Sequence, residues 1–150
     1  MEAFRVVSTF LGAGRFPVAP GTFASLLAAL IHLFLLARLP VPWRAAAVAG
    51  AFALGVAAAS TTSRAMAEKD PRRIVIDEVV GQWAALFLAP PRWLPVLLGF
   101  LLFRFFDIFK PLGIRRLEAL PSGWGIMADD AAAGLASLVL LELLLALLLP

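Results

Sequence analysis

The chain has 150 residues, 62% of them hydrophobic and 15% charged, with a formal net charge of +3. Ordinary soluble domains are roughly 45–50% apolar and about 25% charged, and a mean hydropathy of +0.94 points the same way as this excess of apolar residues. The sequence therefore reads as one integral membrane domain spanning 1–150, and the basic residues flank apolar runs instead of forming a patch, which excludes a nucleic-acid footprint. Cysteine is absent and histidine occurs once, at His32. Thiolate chemistry, disulfides and any two-histidine mechanism are excluded with them.

In chain order, "MEAFRVVSTFLGAG" has an early Glu2 and a short apolar stretch, a poor match to a cleaved signal. "GAGRFPVAPGT" follows, a Gly/Pro-rich loop with two readings. It is a helix breaker with Thr22 as cap, or a re-entrant loop whose backbone N–H groups and Arg15 hold phosphate.

Five apolar stretches then alternate with breakers, at Thr22–Ala37, Trp43–Ser63, Ile74–Ala89, Trp93–Phe109 and Asp130–Leu149. The ten-residue alternation of a membrane barrel is missing, so the expected fold is all-α, a polytopic bundle of four to five transmembrane helices. The third stretch, about 16 residues or roughly 24 Å of helix, falls short of the roughly 30 Å hydrocarbon core and crosses a thinned bilayer or reaches only part-way.

If all five cross, Arg5, Arg15, Arg64, Lys69, Arg72, Arg73, Arg104, Lys110, Arg115 and Arg116 share one side. Arg38, Arg44 and Arg92 take the other, with Trp43 and Trp93 as interface anchors. That asymmetry puts the first side in the cytoplasm. His32 falls about ten residues into the first stretch and is expected to make an interhelical hydrogen bond.

On the same side fall the charges at three helix ends. Asp77 and Glu78 open the third stretch, Arg104, Asp107 and Lys110 close the fourth, and Asp129 and Asp130 open the fifth. Arg104, Asp107 and Lys110 recur every three residues and share a helical face. Asp77 and Asp130 each precede a glycine by four residues, at Gly81 and Gly134, which permits close helix approach. An acidic pair at a helix start also serves as a cap, and Asp129 is divided between cap and ligand. Charges in membrane helices cost about 2.5–3.5 kcal/mol each at the bilayer centre and mark function. Five carboxylates with an Arg and a Lys exceed what capping requires.

Hard oxygen ligands without Cys or a nearby His suit Mg²⁺, and Arg104 with Lys110 suits a phosphate anion. Together they describe a site for a phosphorylated lipid head group. A small ion or proton transporter is the competing class, but it would gather its charges at the midplane, where only His32 and Glu142 are candidates. A non-catalytic assembly subunit would need only the Gly- and Ala-rich helix faces of residues 45–59.

"GAGRFPVAPGTFASL" (12–26), "IDEVVGQW" (76–83), "FRFFDIFKPLGIRRLE" (103–118) and "GWGIMADDAAAG" (123–134) resemble the ordered blocks of the bacterial phosphatidylglycerophosphatase A family. The resemblance covers nearly the whole chain. It implies an Mg²⁺-dependent inner-membrane enzyme, its active site facing the cytoplasm, that hydrolyses the phospholipid phosphatidylglycerophosphate to phosphatidylglycerol and inorganic phosphate. It also implies that Asp77, Glu78, Asp107 and Asp130 bind metal or activate water, that Asp129 is a further candidate metal ligand, and that Arg104 and Lys110 hold the phosphate.

Overall fold

The computed structural model describes residues 2–67 and 71–148, so Lys69, one of the cations in the topology argument, lies outside the described residues. Among those residues the architecture is all-helical: α1 (Glu2–Ser8), α2 (Pro20–Phe34), α3 (Val41–Met66), α4 (Ile76–Ala85), α5 (Trp93–Phe109) and α6 (Gly123–Leu148), with short 3₁₀ turns at Ala13–Arg15, Leu36–Arg38 and Ile114–Ala119. Local chemistry sets most of the ends. Pro20 starts α2, where its missing N–H costs nothing. The α5 helix stops at Lys110, which takes a left-handed φ of 46° directly before Pro111.

Among the described residues three segments are long and apolar enough to cross a membrane, Pro20–Arg38, Val41–Met66 and Gly123–Leu148. The 17 residues of α5 reach about 25 Å. By contrast α4 has ten residues, about 15 Å, and reaches only part-way. Residues 86–92 complete the descent as turns. The far end of α2 and the start of α3 hold this segment: His32 Nε2 lies 3.1 Å from the Ala89 carbonyl oxygen, and Arg44 Nη1 donates to the Phe87 carbonyl at 2.9 Å. His32 thus makes a hydrogen bond between elements, far from the charged ends.

The half-helix α4 sits in the middle, packed against α2, α3, α5 and α6. Eight of its ten residues are buried, and Trp83 Nε1 donates to the Ala28 carbonyl at 3.0 Å. Gly81 and Gly134 form the crossing with α6: a Cβ on Gly134 would run into the Gly81 carbonyl, and one on Gly81 would lie 2.7 Å from the Asp130 carbonyl oxygen. The four-residue spacing from each acid to its glycine brings these two backbones together, as the sequence suggested. Large apolar side chains such as Leu26, Leu54, Leu101, Leu135 and Val139 point outward and are exposed. An apolar belt of that extent belongs in lipid, and Trp43 and Trp93 stand exposed at the end away from the charges.

Candidate active site

The charged ends converge. A cavity of about 400 Å³ opens at the α2, α4 and α6 starts and the α5 end, and Asp77, Glu78, Arg104, Asp107, Lys110, Asp129 and Asp130 all line it. Sequence positions more than fifty residues apart thus meet at one level of the bundle, and the transporter expectation of midplane charges finds no counterpart in this cluster.

Asp77 and Glu78 occupy the first turn of α4, where the N-terminal helix dipole favours negative charge. Gly21 makes room for Glu78, because a Cβ on that glycine would overlap Glu78 Oε1. Asp129 and Asp130 sit differently from expectation. Helix α6 begins at Gly123, six residues before Asp129, so Asp129 is not a cap. The helix extends upstream because its first turn docks on α3: the Gly123 N–H donates to Ser60 Oγ at 3.0 Å, and a Cβ there would lie 2.6 Å from the same hydroxyl oxygen. Adjacent helical positions diverge by about 100°, and the two carboxylates divide accordingly. Asp129 Oδ2 accepts from Lys110 Nζ, whereas Asp130 groups with Asp77 and Glu78.

Arg104 Nη1 pairs with Asp107 Oδ2 at 2.6 Å, the i,i+3 contact anticipated for that face, and donates to Ser25 Oγ at 3.3 Å. Lys110 Nζ also donates to Glu118 Oε1 at 2.8 Å. Burial disfavours the Lys110 ammonium, but its hydrogen bonds to Asp129 and Glu118 outweigh this and hold its pKa above the ordinary lysine value.

One ligand atom each from Asp77, Glu78 and Asp130 lies within 4.8 Å of the others. Oxygens around Mg²⁺ at about 2.1 Å stand roughly 3–4 Å apart, so slight closure would complete one face of its shell. Glu78 Oε2 and Asp130 Oδ2 are buried and find no hydrogen-bond partner among the described residues. Buried carboxylate oxygens in that state are costly, and a hard divalent cation is the group this all-oxygen donor set fits.

Sequence reasoning missed several lining residues, Arg72, Thr22 and Glu118 among them. Arg72 had figured only as a topology cation, and Thr22 only as a cap; Glu118 carried no signal of its own. Arg15, expected on the phosphate, does not line this cavity. It faces a neighbouring cleft with Phe16 and Arg73, which Arg72 also borders.

The family model described as phosphatidylglycerophosphatase A matches residues 6–145. A Bacteroides thetaiotaomicron protein, provisionally named a phosphatidylinositol-3-phosphatase, is 41% identical over 91% of this chain and 89% of its own. Proteins named phosphatidylglycerophosphatase A from Haemophilus influenzae and Escherichia coli are 36% and 35% identical, over 93% and 89% of this chain and 86% and 78% of theirs. No solved structure matches the chain significantly.

Proposed function

The chain belongs to the phosphatidylglycerophosphatase A family, and from that premise we propose that its charged cavity hydrolyses the terminal phosphomonoester of phosphatidylglycerophosphate. The products are phosphatidylglycerol and inorganic phosphate. The observation that carries the reading is the grouping of Asp77, Glu78 and Asp130 within 4.8 Å, with Arg104 and Lys110 lining the same cavity.

In this reading Asp77, Glu78 and Asp130 would hold Mg²⁺, while Asp129 turns to Lys110. An ion held there would supply positive charge to the phosphoryl oxygens and would acidify a bound water. Arg104, braced by Asp107 and Ser25, offers its remaining N–H groups to the phosphate, and Lys110 adds a point charge held in place by Asp129 and Glu118. Asp107 accepts a proton from the attacking water. The water oxygen bonds to phosphorus, the bond from phosphorus to the glycerol oxygen breaks, and that oxygen leaves as the alcohol, taking up the proton that Asp107 had accepted. Fixed donors aimed at developing phosphoryl charge are the main catalytic resource for such displacements.

The excess of cations on the charged side supports a cytoplasmic active site at the bacterial inner membrane. The deciding experiment is phosphate release by purified protein in detergent, with Mg²⁺ or with chelator, across phosphatidylglycerophosphate, phosphatidylinositol-3-phosphate and phosphatidate. The second lipid is included because of the name borne by the Bacteroides relative. Mg²⁺-dependent release that is fastest from phosphatidylglycerophosphate is expected. Faster release from another lipid would overturn the substrate, and release in full with chelator would overturn the metal.

A further inference from the structure

The cleft beside the cavity is lined by Arg15, Phe16, Arg72 and Arg73, and it shares Ala19, Pro20 and Arg72 with the cavity itself. Its walls come from two segments fastened to each other. The Val75 N–H donates to the Ser8 carbonyl at 2.9 Å, and Gly14 packs so closely on Arg73 that a Cβ would overlap the Arg73 carbonyl. Three exposed arginines thereby line one cleft, and among the described residues none is in an ion pair. Leu11 and Val18, on the loop that carries Arg15, are 82% and 72% exposed. Apolar tips beside arginines fit the interfacial layer, where acyl chains give way to lipid phosphates.

We propose that this cleft binds the phosphodiester of the lipid substrate while the acid-rich cavity takes its terminal phosphomonoester, with Arg72 standing between the two. The inference rests on the phosphatase reading above and adds the residues that choose the lipid. A phosphodiester carries one negative charge and two free oxygens, which suits the planar fork of arginine. The acidic cavity repels anions until a cation is bound, so a second anchor of opposite character outside it holds the head group in register. The lipids selected are those whose head-group alcohol bears a phosphomonoester. Phosphatidate, which has a monoester and no diester, leaves the cleft empty.

The test compares wild type, the Arg15→Gln/Arg73→Gln pair and the Arg115→Gln/Arg116→Gln pair, the last an equal charge change at exposed arginines outside the cleft. Phosphatidylglycerophosphate and phosphatidate are assayed in mixed micelles at fixed surface fraction. Charge-assisted hydrogen bonds at an exposed rim predict that the cleft pair raises KM for phosphatidylglycerophosphate about tenfold, with kcat within about twofold. Phosphatidate turnover stays within about twofold, and Arg15→Lys/Arg73→Lys recovers part of the loss. An unchanged KM overturns the proposal, as does an equal loss on both lipids or the same loss in the Arg115/Arg116 pair. Wild type without activity on either lipid would refute the phosphatase reading and this inference with it. An active wild type with an insensitive cleft refutes only the inference.

Discussion

Asp130→Asn is the substitution that best separates a cation site from a merely acidic helix end. Asp130 is 3% exposed and shares its surroundings with Asp77 and Glu78. The cavity lining holds six carboxylates against three cations, Arg72, Arg104 and Lys110, a formal charge of −3. Two unit charges 4.8 Å apart repel by about 3.5 kcal/mol at an effective dielectric of about 20. Asparagine keeps the shape and removes two such repulsions. The same change removes the attraction between Asp130 and Lys110, which cancels about one of the two repulsions, and lost hydrogen bonding offsets about 1–3 kcal/mol more. Without metal the variant should therefore be more stable than wild type by about 2 kcal/mol, or roughly 4–8 °C in Tm. Mg²⁺ at about 100 times Kd should add roughly 2.7 kcal/mol to wild type and much less to the variant, so the order of stability narrows or reverses. Hydrolysis should fall by about a hundredfold or more. Thermal unfolding in detergent, followed by the four tryptophans with Mg²⁺ or with chelator, reads all of this. A variant less stable than wild type in chelator, with an undiminished response to Mg²⁺, would refute the reasoning.

Asp107→Asn should fold with an unchanged Mg²⁺ response and lose at least about a hundredfold in kcat; full activity would remove the proton-accepting role. Lys110→Met strands the Asp129 carboxylate and should cost about 3 kcal/mol. Because the folded pKa of Lys110 lies above its ordinary 10.5, its contribution is complete below that value and fades only as pH rises through the folded pKa. The Tm gap between wild type and this variant should thus stay flat from about pH 7.5 to 9.5; a gap that closes within that window would contradict the assignment. Gly134→Ala places a methyl against the Gly81 carbonyl and should cost about 1–3 kcal/mol by forcing α4 and α6 apart. Activity should fall with it, and an unperturbed variant would count against the tight crossing. A reporter fused after Arg116 should be cytoplasmic, and an extracytoplasmic signal would invert the orientation.

Much of this was legible in the sequence, for identifiable reasons. Helix α5 occupies Trp93–Phe109, the stretch marked out by Pro90-Pro91 before it and Lys110-Pro111 after it. Charge clustering was readable because lipid makes each buried charge expensive, so Asp77, Glu78, Arg104, Asp107, Lys110, Asp129 and Asp130 stood out against an apolar background. What failed to show depended on distant partners. The two glycines of "GWG" read as loop, yet Gly123 and Trp124 are helical because they pack on Ser60 and Phe52 of α3. The apolar run to Ala89 suggested a longer third helix than the ten residues found. Its final carbonyls are taken up by Arg44 and His32, which no local pattern reveals. Arg72 and Glu118 reach the cavity from segments outside the long helices, where spacing carries no periodic signal.

The brevity of α4 has a mechanical consequence. A ten-residue rod with eight buried positions touches the hydrocarbon hardly at all; its neighbours hold it from every side. The acids it carries, Asp77 and Glu78, are therefore insulated from the bilayer's fluctuations in thickness and lateral pressure, which act on the outward faces of α3, α5 and α6. The carboxylate cluster these acids form with Asp130 is thereby held in place within a solvent that is never still.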